Sequence, residues 1–417
     1  MPFLRTARGR RPLLPAVASA VALALALTAC GPAEEDSGAD TAADVRPAAS
    51  APGTDDGPGT DDGPGTDDGP GRDERLPGGL PDAVRDLDGW RGGGWRDWDA
   101  GNWPRDAQDF VNPYVKGVWD AARMRDAGDN HRGVTADELA TASAATGTDP
   151  EPRAVEASEV ARPYHEHAAP VGKVFMDTPR GPMVCSGTVV RDPANPGRSN
   201  LVATAGHCVH GGGDEGWYRN IVFVPSYNDR GRPAGQLGGA PAHEVAPYRM
   251  WWATWAQTTS YWIERGDAVS GAEGAAQDFA VLHVEPEGGP GRSLEETVGN
   301  ALRVNFDAPR PRELAGLSSY GYPAAAPYDG ALMYTCTDRP GRLTVDPAQP
   351  ALYRIGCTMT GGTSGGGMYA TGADGRAELV SVNAIGPRPT TWLAGPYLGA
   401  AAEGVFDAVS ERFADGG

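Results

Sequence analysis

The chain has 417 residues, of which 36 are Lys or Arg and 55 are Asp or Glu, and its formal net charge is -19. Nucleic-acid binding needs a basic surface, so this charge argues against a nucleic acid as partner. The surplus acidic residues lie largely in the first half of the chain, where they solvate the polypeptide and say little about a substrate.

Residues 1–29 are predicted to be an export signal, because four arginines precede an uncharged, apolar stretch at 12–29. That stretch is too short for a membrane-spanning helix. It ends in Leu-Thr-Ala-Cys at 27–30, an order that resembles the processing box of bacterial lipoproteins. We therefore expect Cys30 to carry a lipid that holds the protein on the outer face of the cell membrane. The alternatives are an ordinary signal peptide with Cys30 as a spare thiol, and a released extracellular protein.

Residues 30–80 are predicted to form a disordered tether. They are mostly Asp, Gly, Pro, Thr and Ala, and the sequence Gly-Thr-Asp-Asp-Gly-Pro at 53–58 recurs twice more. Such a composition buries no core and keeps the chain extended.

Residues 81–165 contain four tryptophans between 90 and 103 and then two short helical patterns. The first pattern begins at Asn112 and Pro113, and the second begins with a capping box formed by Thr135 and Glu138. The segment is interpreted either as a small helical propeptide or docking segment, or as a semi-ordered linker.

From 166 to 417 the sequence predicts an all-β domain with a C-terminal helix. About 250 residues are enough for a doubled β-barrel, and apolar residues at helical spacing in 396–413 indicate the helix. Short β-rich runs separated by Gly, Pro and Asn lie at 171–176, 183–190, 201–204, 221–224, 279–284, 317–322, 331–336, 351–357 and 379–385.

Four cysteines remain when Cys30 is set aside, an even number in an exported chain, which predicts two disulfides. Of the three possible connectivities we favour Cys185 with Cys208 and Cys336 with Cys357, because each pair closes a local loop.

Three stretches carry candidate catalytic groups. Ser364 lies in Gly-Gly-Thr-Ser-Gly-Gly-Gly at 361–367, where glycines permit a tight turn whose N–H groups, from Gly362 and Ser364, point at a developing oxyanion. His207 lies in Thr-Ala-Gly-His-Cys at 204–208, beside a predicted half-cystine that limits the movement of a general base. Asp278 precedes the apolar run 279–282 and is the candidate for orienting the imidazole, with Asp267 as the reserve.

The order His, Asp, Ser along the chain is that of the chymotrypsin-like group. An α/β-hydrolase needs a histidine after the serine, and the last histidine is His283. The subtilisin order differs as well, and no α/β pattern is present.

On these motifs the region from Gly172 to Phe413 resembles the chymotrypsin-like serine proteases, specifically their bacterial V8-like and trypsin-like secreted branch. The resemblance implies two perpendicular six-stranded barrels, with His207 and Asp278 on the first and Ser364 on the second. It implies a serine endopeptidase that acts on a protein or peptide substrate without a metal or cofactor. We also expect a monomer.

Departures from the family pattern concern specificity. Thr358 stands six residues before Ser364, where trypsin-like pockets have an aspartate, so a preference for Arg or Lys is not expected. Val382 stands roughly where glutamate-specific relatives have a histidine. Asn383 and Ala384 are expected on the strand edge that pairs with substrate backbone. A tryptophan-rich insertion at 251–262 is either core or an aromatic rim on the cleft, and burial is favoured.

The same sequence is also compatible with two other functions. One is a surface binding module that keeps the barrel but lacks turnover, and the other is an esterase that uses the same residues.

Overall fold

The computed structural model describes residues 109–111, 117–143, 147–213, 215–269, 271–289 and 291–414. The predicted signal, Cys30, the tether and the tryptophans of 90–103 lie outside these residues. Strands dominate the described chain: β1 (Asp109–Val111), β2 (Gly128–Asp129), β3 (Gly133–Val134), β4 (Ser158–Glu159), β5 (Val171–Thr178), β6 (Gly181–Val190), β7 (Leu201–Thr204), β8 (Arg219–Pro225), β9 (Trp251–Thr258), β10 (Ala280–Pro286), β11 (Arg303–Val304), β12 (Leu317–Gly321), β13 (Tyr334–Asp338), β14 (Gly341–Leu343), β15 (Leu352–Gly356), β16 (Gly367–Thr371), β17 (Ala377–Val382), β18 (Gly386–Pro387) and β19 (Trp392–Gly395).

The helices are short except for the last one. They are α1 (Ala121–Asp126), α2 (Ala136–Ser143), α3 (Tyr164–His167), α4 (Ala234–Leu237), α5 (Ala242–Val245), α6 (Ser260–Arg265), α7 (Leu294–Val298) and α8 (Ala400–Arg412), with 3-10 turns at Gly206–Cys208, Ala275–Gln277 and Pro311–Glu313. In the described chain, no helix is both long enough and apolar enough to cross a bilayer.

Six strands of the first half close into an antiparallel barrel. Its order is β5, β6, β7, β10, β9 and β8, and β8 pairs again with β5. The register places Val189 opposite Val202 and Ala203 opposite Val281, so small and β-branched side chains meet across neighbouring strands. The sequence therefore folds here because its apolar runs are buried on a closed sheet.

The second half divides its strands between two sheets. One sheet has the order β11, β17, β16, β12, β13, β4, and the other has β14, β15, β19. The edges of β13 and β15 are joined by the Asp338 carboxylate, which accepts a hydrogen bond from the Gly356 N–H at 2.9 Å. The backbone of the preceding chain contributes too, since the Thr358 N–H donates to the Val155 carbonyl at 3.0 Å.

The predicted fold class is confirmed: the described chain is mostly β, contains a closed six-stranded antiparallel barrel and ends in a helix, which fits the chymotrypsin-like fold. Helix α8 buries the predicted stripe at Ala402, Val405 and Val409. The capping box at α2 is present, because Thr135 and Glu138 each accept a hydrogen bond from the other's N–H.

Both predicted disulfides are present, Cys185–Cys208 and Cys336–Cys357.

The tryptophan-rich stretch is buried, as favoured, but it is no insertion. Residues 251–258 form strand β9, which pairs with β8 and β10 and completes the barrel. The sequence of β9 does not alternate between apolar and polar residues because both faces of this strand are covered. On the outer face, the Arg412 guanidinium lies 3.5 Å from the centre of the Trp255 ring.

Lys173 on β5 is buried in the interior with 3% of its surface exposed. Its Nζ donates to the Gly330 carbonyl at 2.8 Å and lies 4.8 Å from the centre of the Tyr227 ring. Burial lowers the pKa of Lys173 from 10.5 to about 7, while the charge of Asp329 acts in the opposite direction. The charged form of this lysine is therefore disfavoured in the folded protein.

We predict that the free energy of unfolding rises between pH 7 and pH 9 by about 2 kcal/mol because of this lysine. The sign follows from the lowered pKa: the unfolded chain binds the proton more tightly than the folded one, so raising the pH favours folding. Urea unfolding at several pH values measures the slope. Lys173→Met should remove it, and an equal slope in this variant would show that Lys173 is not its source.

Candidate active site

His207 lies at the end of the first barrel, in the 3-10 turn that follows β7. The disulfide between Cys208 and Cys185 of β6 ties this turn to the barrel wall. The imidazole is fully buried, and its ring centre lies 6.1 Å from that of Trp262 on α6. The disulfide and the neighbouring Trp262 ring thus restrict the movement of the His207 side chain.

Asp278 precedes β10 and contacts His207 twice. One carboxylate oxygen, Oδ2, lies 2.7 Å from His207 Nδ1, and the other accepts the His207 backbone N–H at 2.9 Å. Burial by itself raises the pKa of the Asp278 carboxyl, but the charges of His207 and Arg132 and the donated hydrogen bonds hold the pKa below its ordinary value. The reserve candidate, Asp267, instead accepts the Val269 N–H at 2.7 Å.

The loop that presents Ser364 requires glycine on both sides of the serine. Gly362 has a φ of 95°, and a Cβ there would lie 2.6 Å from the Tyr322 carbonyl oxygen. Gly365 has a φ of 74°, and a Cβ there would lie 2.0 Å from Thr204 Oγ1. The loop therefore packs against β7 of the first barrel at a distance that only glycine permits.

Ser186 of the first barrel also holds this loop in place, through both its hydroxyl and its backbone N–H. The Ser186 hydroxyl of β6 donates to the Gly362 carbonyl at 2.9 Å, and the Ser186 N–H donates to the Ser364 carbonyl at 2.7 Å. In the described part of the chain, the N–H groups of Gly362 and Ser364 make no hydrogen bond. These two donors are the pair that the sequence analysis assigned to an oxyanion hole.

The Ser364 hydroxyl is directed at a segment from outside the barrels. It donates to the Asn130 carbonyl at 3.2 Å. His207 Nε2 is buried and has no hydrogen-bond partner among the described residues. Because the Asn130 amide also donates to the His207 carbonyl at 2.8 Å, one residue touches both His207 and Ser364 and places them at the same cleft.

Arg132, two residues further on, reaches the same site. Its guanidinium is fully buried and lies 3.3 Å from Asp278 Oδ2. The remaining donors are bound by backbone carbonyls of the chain that leads into β10, those of Asp267, Gly271 and Glu273. Asp278 thus has two cationic or potentially cationic partners.

Thr358 lies beside a cavity of about 460 Å³ that is also bordered by Gly361, His131 and Arg388. Its hydroxyl accepts the Ala157 N–H at 2.9 Å. Burial, and then the charges of Arg388 and His207, lower the pKa of His131 from 6.5 to about 4, so this ring is neutral at pH 7. Thr358 therefore borders a cavity next to the Ser364 loop, and its role as a substrate-pocket residue stays a prediction.

Asn383 and Ala384 are buried, and their N–H groups donate to Gly366 and Ala394. The Asn383 side chain donates to the Thr363 carbonyl at 3.0 Å and so supports the Ser364 loop. The edge that pairs with another segment begins slightly later, at Gly386 of β18, which pairs with Gly133 of β3. Asn383 and Ala384 are therefore buried residues next to the pairing edge, and the sequence pattern did not distinguish them from it.

Cys185, His207 and Cys208 form the one group of metal-ligand type that the described residues bring together. The two sulfur atoms are bonded to each other, so they do not serve as thiolate ligands.

Asn130, His131 and Arg132 were not recognised from the sequence as part of the site. They lie between two helical patterns in the segment interpreted as a propeptide or linker, and no motif marks them. Their position depends on contacts with residues more than 70 positions away, such as His207 and Asp278.

No protein-family model matches the chain, and no curated protein sequence matches it. Solved structures do match. A thermostable serine protease, AL20, from an extremophilic microorganism is 31% identical over 58% of this chain and 98% of its own, with a TM-score of 0.47. The protease Anisep from Arthrobacter nicotinovorans is 26% identical over 61% of this chain and 99% of its own, with a TM-score of 0.46. A Glu endopeptidase in complex with MPD is 17% identical over 63% of this chain and 99% of its own, with a TM-score of 0.42.

We predict that Gly365→Ala lowers the free energy of unfolding by about 2–4 kcal/mol, because it combines a left-handed backbone with a clash against Thr204. Gly375→Ala is the matched control: its φ is 79°, but nothing lies within 4 Å of an added Cβ. We expect a loss of only about 1 kcal/mol there. Urea unfolding measures both, and equal losses would contradict the close packing inferred at Gly365.

Proposed function

We propose that the protein is a serine endopeptidase with Ser364 as nucleophile, His207 as general base and Asp278 as the residue that orients His207. The observation that carries the proposal is the fully buried pair of His207 and Asp278, joined at 2.7 Å, beside a glycine-flanked serine. Similarity to solved serine proteases agrees with it but does not carry it.

The proposed reaction begins when Ser364 Oγ attacks the carbonyl carbon of the peptide bond and His207 Nε2 accepts the hydroxyl proton. The Ser364 side chain first leaves the Asn130 carbonyl. The imidazolium that forms is stabilised by the Asp278 carboxylate at Nδ1. The oxyanion accepts hydrogen bonds from the Gly362 and Ser364 N–H groups.

The tetrahedral intermediate collapses when His207 returns the proton to the leaving amine, and the C–N bond breaks to leave an ester on Ser364. Water then attacks this acyl-enzyme with His207 again as base. The acid product leaves, and Ser364 regains its proton. Every step uses groups of this chain and water.

We predict that a fluorophosphonate probe labels Ser364 on prolonged incubation of the folded full-length chain. Ser364→Ala should abolish labelling because the nucleophile is gone, and His207→Ala should slow it by about 10³-fold or more. Mass spectrometry of the labelled peptide measures both effects. Ser318→Ala, which removes a hydroxyl on β12 that is hydrogen-bonded to Thr337 at 2.8 Å, is the matched control and should label like wild type.

Failure of the folded chain to label under any of these conditions would favour a binding module that keeps the barrel without turnover. Labelling with hydrolysis of esters but not of peptides would indicate an esterase instead.

The proposal extends to location: the enzyme is exported and held at the cell surface by a lipid on Cys30. Support comes from the residues of 1–30 alone. When the chain is expressed in bacteria with radiolabelled palmitate, wild type should carry the label and sediment with membranes. Cys30→Ala should do neither, and a labelled Cys30→Ala variant would refute lipidation at this cysteine.

A further inference from the structure

Residues 128–134, here called the cleft segment, cross the site between the two halves of the protein. At one end β2 pairs with β6, where Gly128 is opposite Met183, and at the other end β3 pairs with β18. Both pairings are parallel. Between these pairings, Asn130 forms hydrogen bonds with both His207 and Ser364.

Asn130 occupies the position at which Ser364 would meet a substrate. Its carbonyl oxygen accepts a hydrogen bond from the Ser364 hydroxyl, so the proposed nucleophile points at an oxygen and not at a carbonyl carbon. The backbone N–H groups of Gly362 and Ser364, the proposed oxyanion donors, form no hydrogen bond with the cleft segment. The segment is therefore held in an unreactive pose, as an inhibitor is, and the base lacks its contact with the serine.

Arg132 anchors the segment. Each nitrogen of its guanidinium has an acceptor: Asp278 at 3.3 Å, and the carbonyls of Asp267, Gly271 and Glu273 at 2.5, 2.9 and 2.7 Å. The plane also lies 4.6 Å from the centre of the Trp262 ring. Charge-assisted hydrogen bonds to this many partners hold a buried guanidinium firmly. Removing it would also leave the buried Asp278 charge with one partner fewer.

The pocket around Arg132 is made by the protease-like domain and not by the segment itself. Asp267, Gly271, Glu273 and Asp278 all belong to the chain between α6 and β10. Three carbonyls, one carboxylate and an aromatic face form a binding site that is selective for a planar cation.

From these contacts we infer that the cleft segment is a tethered inhibitor of the active site, anchored by Arg132 in a guanidinium-binding subsite next to Asp278. This inference rests on the proposed function. The inference goes beyond the proposed function because it assigns residues 128–134 a regulatory role. The full-length chain is largely inactive. Displacement of the segment, by cleavage of the chain after it or by a competing ligand, exposes Ser364 to substrate.

The contrary interpretation is that Arg132 is a permanent part of the active enzyme and keeps Asp278 ionised. The two interpretations predict opposite effects of removing it. A tethered inhibitor without its anchor leaves the cleft more often, so activity rises. A positioning residue, when removed, lets the Asp278 pKa rise and activity falls.

The test compares full-length wild type with Arg132→Ala by the rate at which a fluorophosphonate labels Ser364 and by hydrolysis of a fluorogenic peptide library. We expect both rates to increase about tenfold or more in Arg132→Ala, because the competent fraction of molecules increases. Arg125→Ala is the matched control. That arginine pairs with Asp126 on the exposed side of α1, away from the cleft, and its removal should change neither rate.

Asn130→Ala keeps the test decisive if Arg132→Ala does not fold. This variant removes the 2.8 Å bond to the His207 carbonyl and leaves both partners of Asp278 in place. We expect labelling to be about fivefold faster than in wild type. Circular dichroism melting curves identify which variants are folded.

The possible outcomes separate the two proposals. Equal or slower rates in the folded variants, with wild type labelled at Ser364, overturn the inhibitor role and leave the endopeptidase standing. Absence of labelling in wild type and in both variants, when folded, overturns the endopeptidase and the inhibitor with it.

Discussion

The fully buried carboxylate of Asp278 is the constraint on which the site depends. A carboxylate in the protein interior is tolerated only when hydrogen bonds and opposite charges replace the water it has lost. Asp278 receives them from His207, on the turn after β7, and from Arg132, on the cleft segment. Two stretches distant in sequence are thereby held at the entrance of β10.

A small number of hydrogen bonds and close contacts joins the two halves of the protein around Ser364. Ser186 of β6 binds the carbonyls and N–H groups of the second half, and Thr204 of β7 packs against Gly365 at a distance that excludes any side chain. Asn383 supports the loop from the other side. The Ser364 loop is thus held by residues from both halves of the protein.

The cleft segment contacts both Asp278 and Ser364. Its Arg132 guanidinium lies 3.3 Å from the buried Asp278 carboxylate, and its Asn130 carbonyl accepts a hydrogen bond from the Ser364 hydroxyl. The lowered pKa of His131, caused first by burial, keeps that neighbouring ring uncharged and compatible with the two arginines beside it.

The sequence alone determined the all-β class, most of the long strands, the C-terminal helix and both disulfides, because periodicity, turn residues and local cysteine spacing are short-range signals. It also singled out His207, Asp278 and Ser364 as candidates. It missed β9, since a strand covered on both faces shows no alternation, and it missed Asn130 and Arg132, which have no motif. Only the tertiary structure decided where these two residues lie, because the site of the Arg132 guanidinium is formed by carbonyls and a carboxylate more than a hundred residues away in the chain.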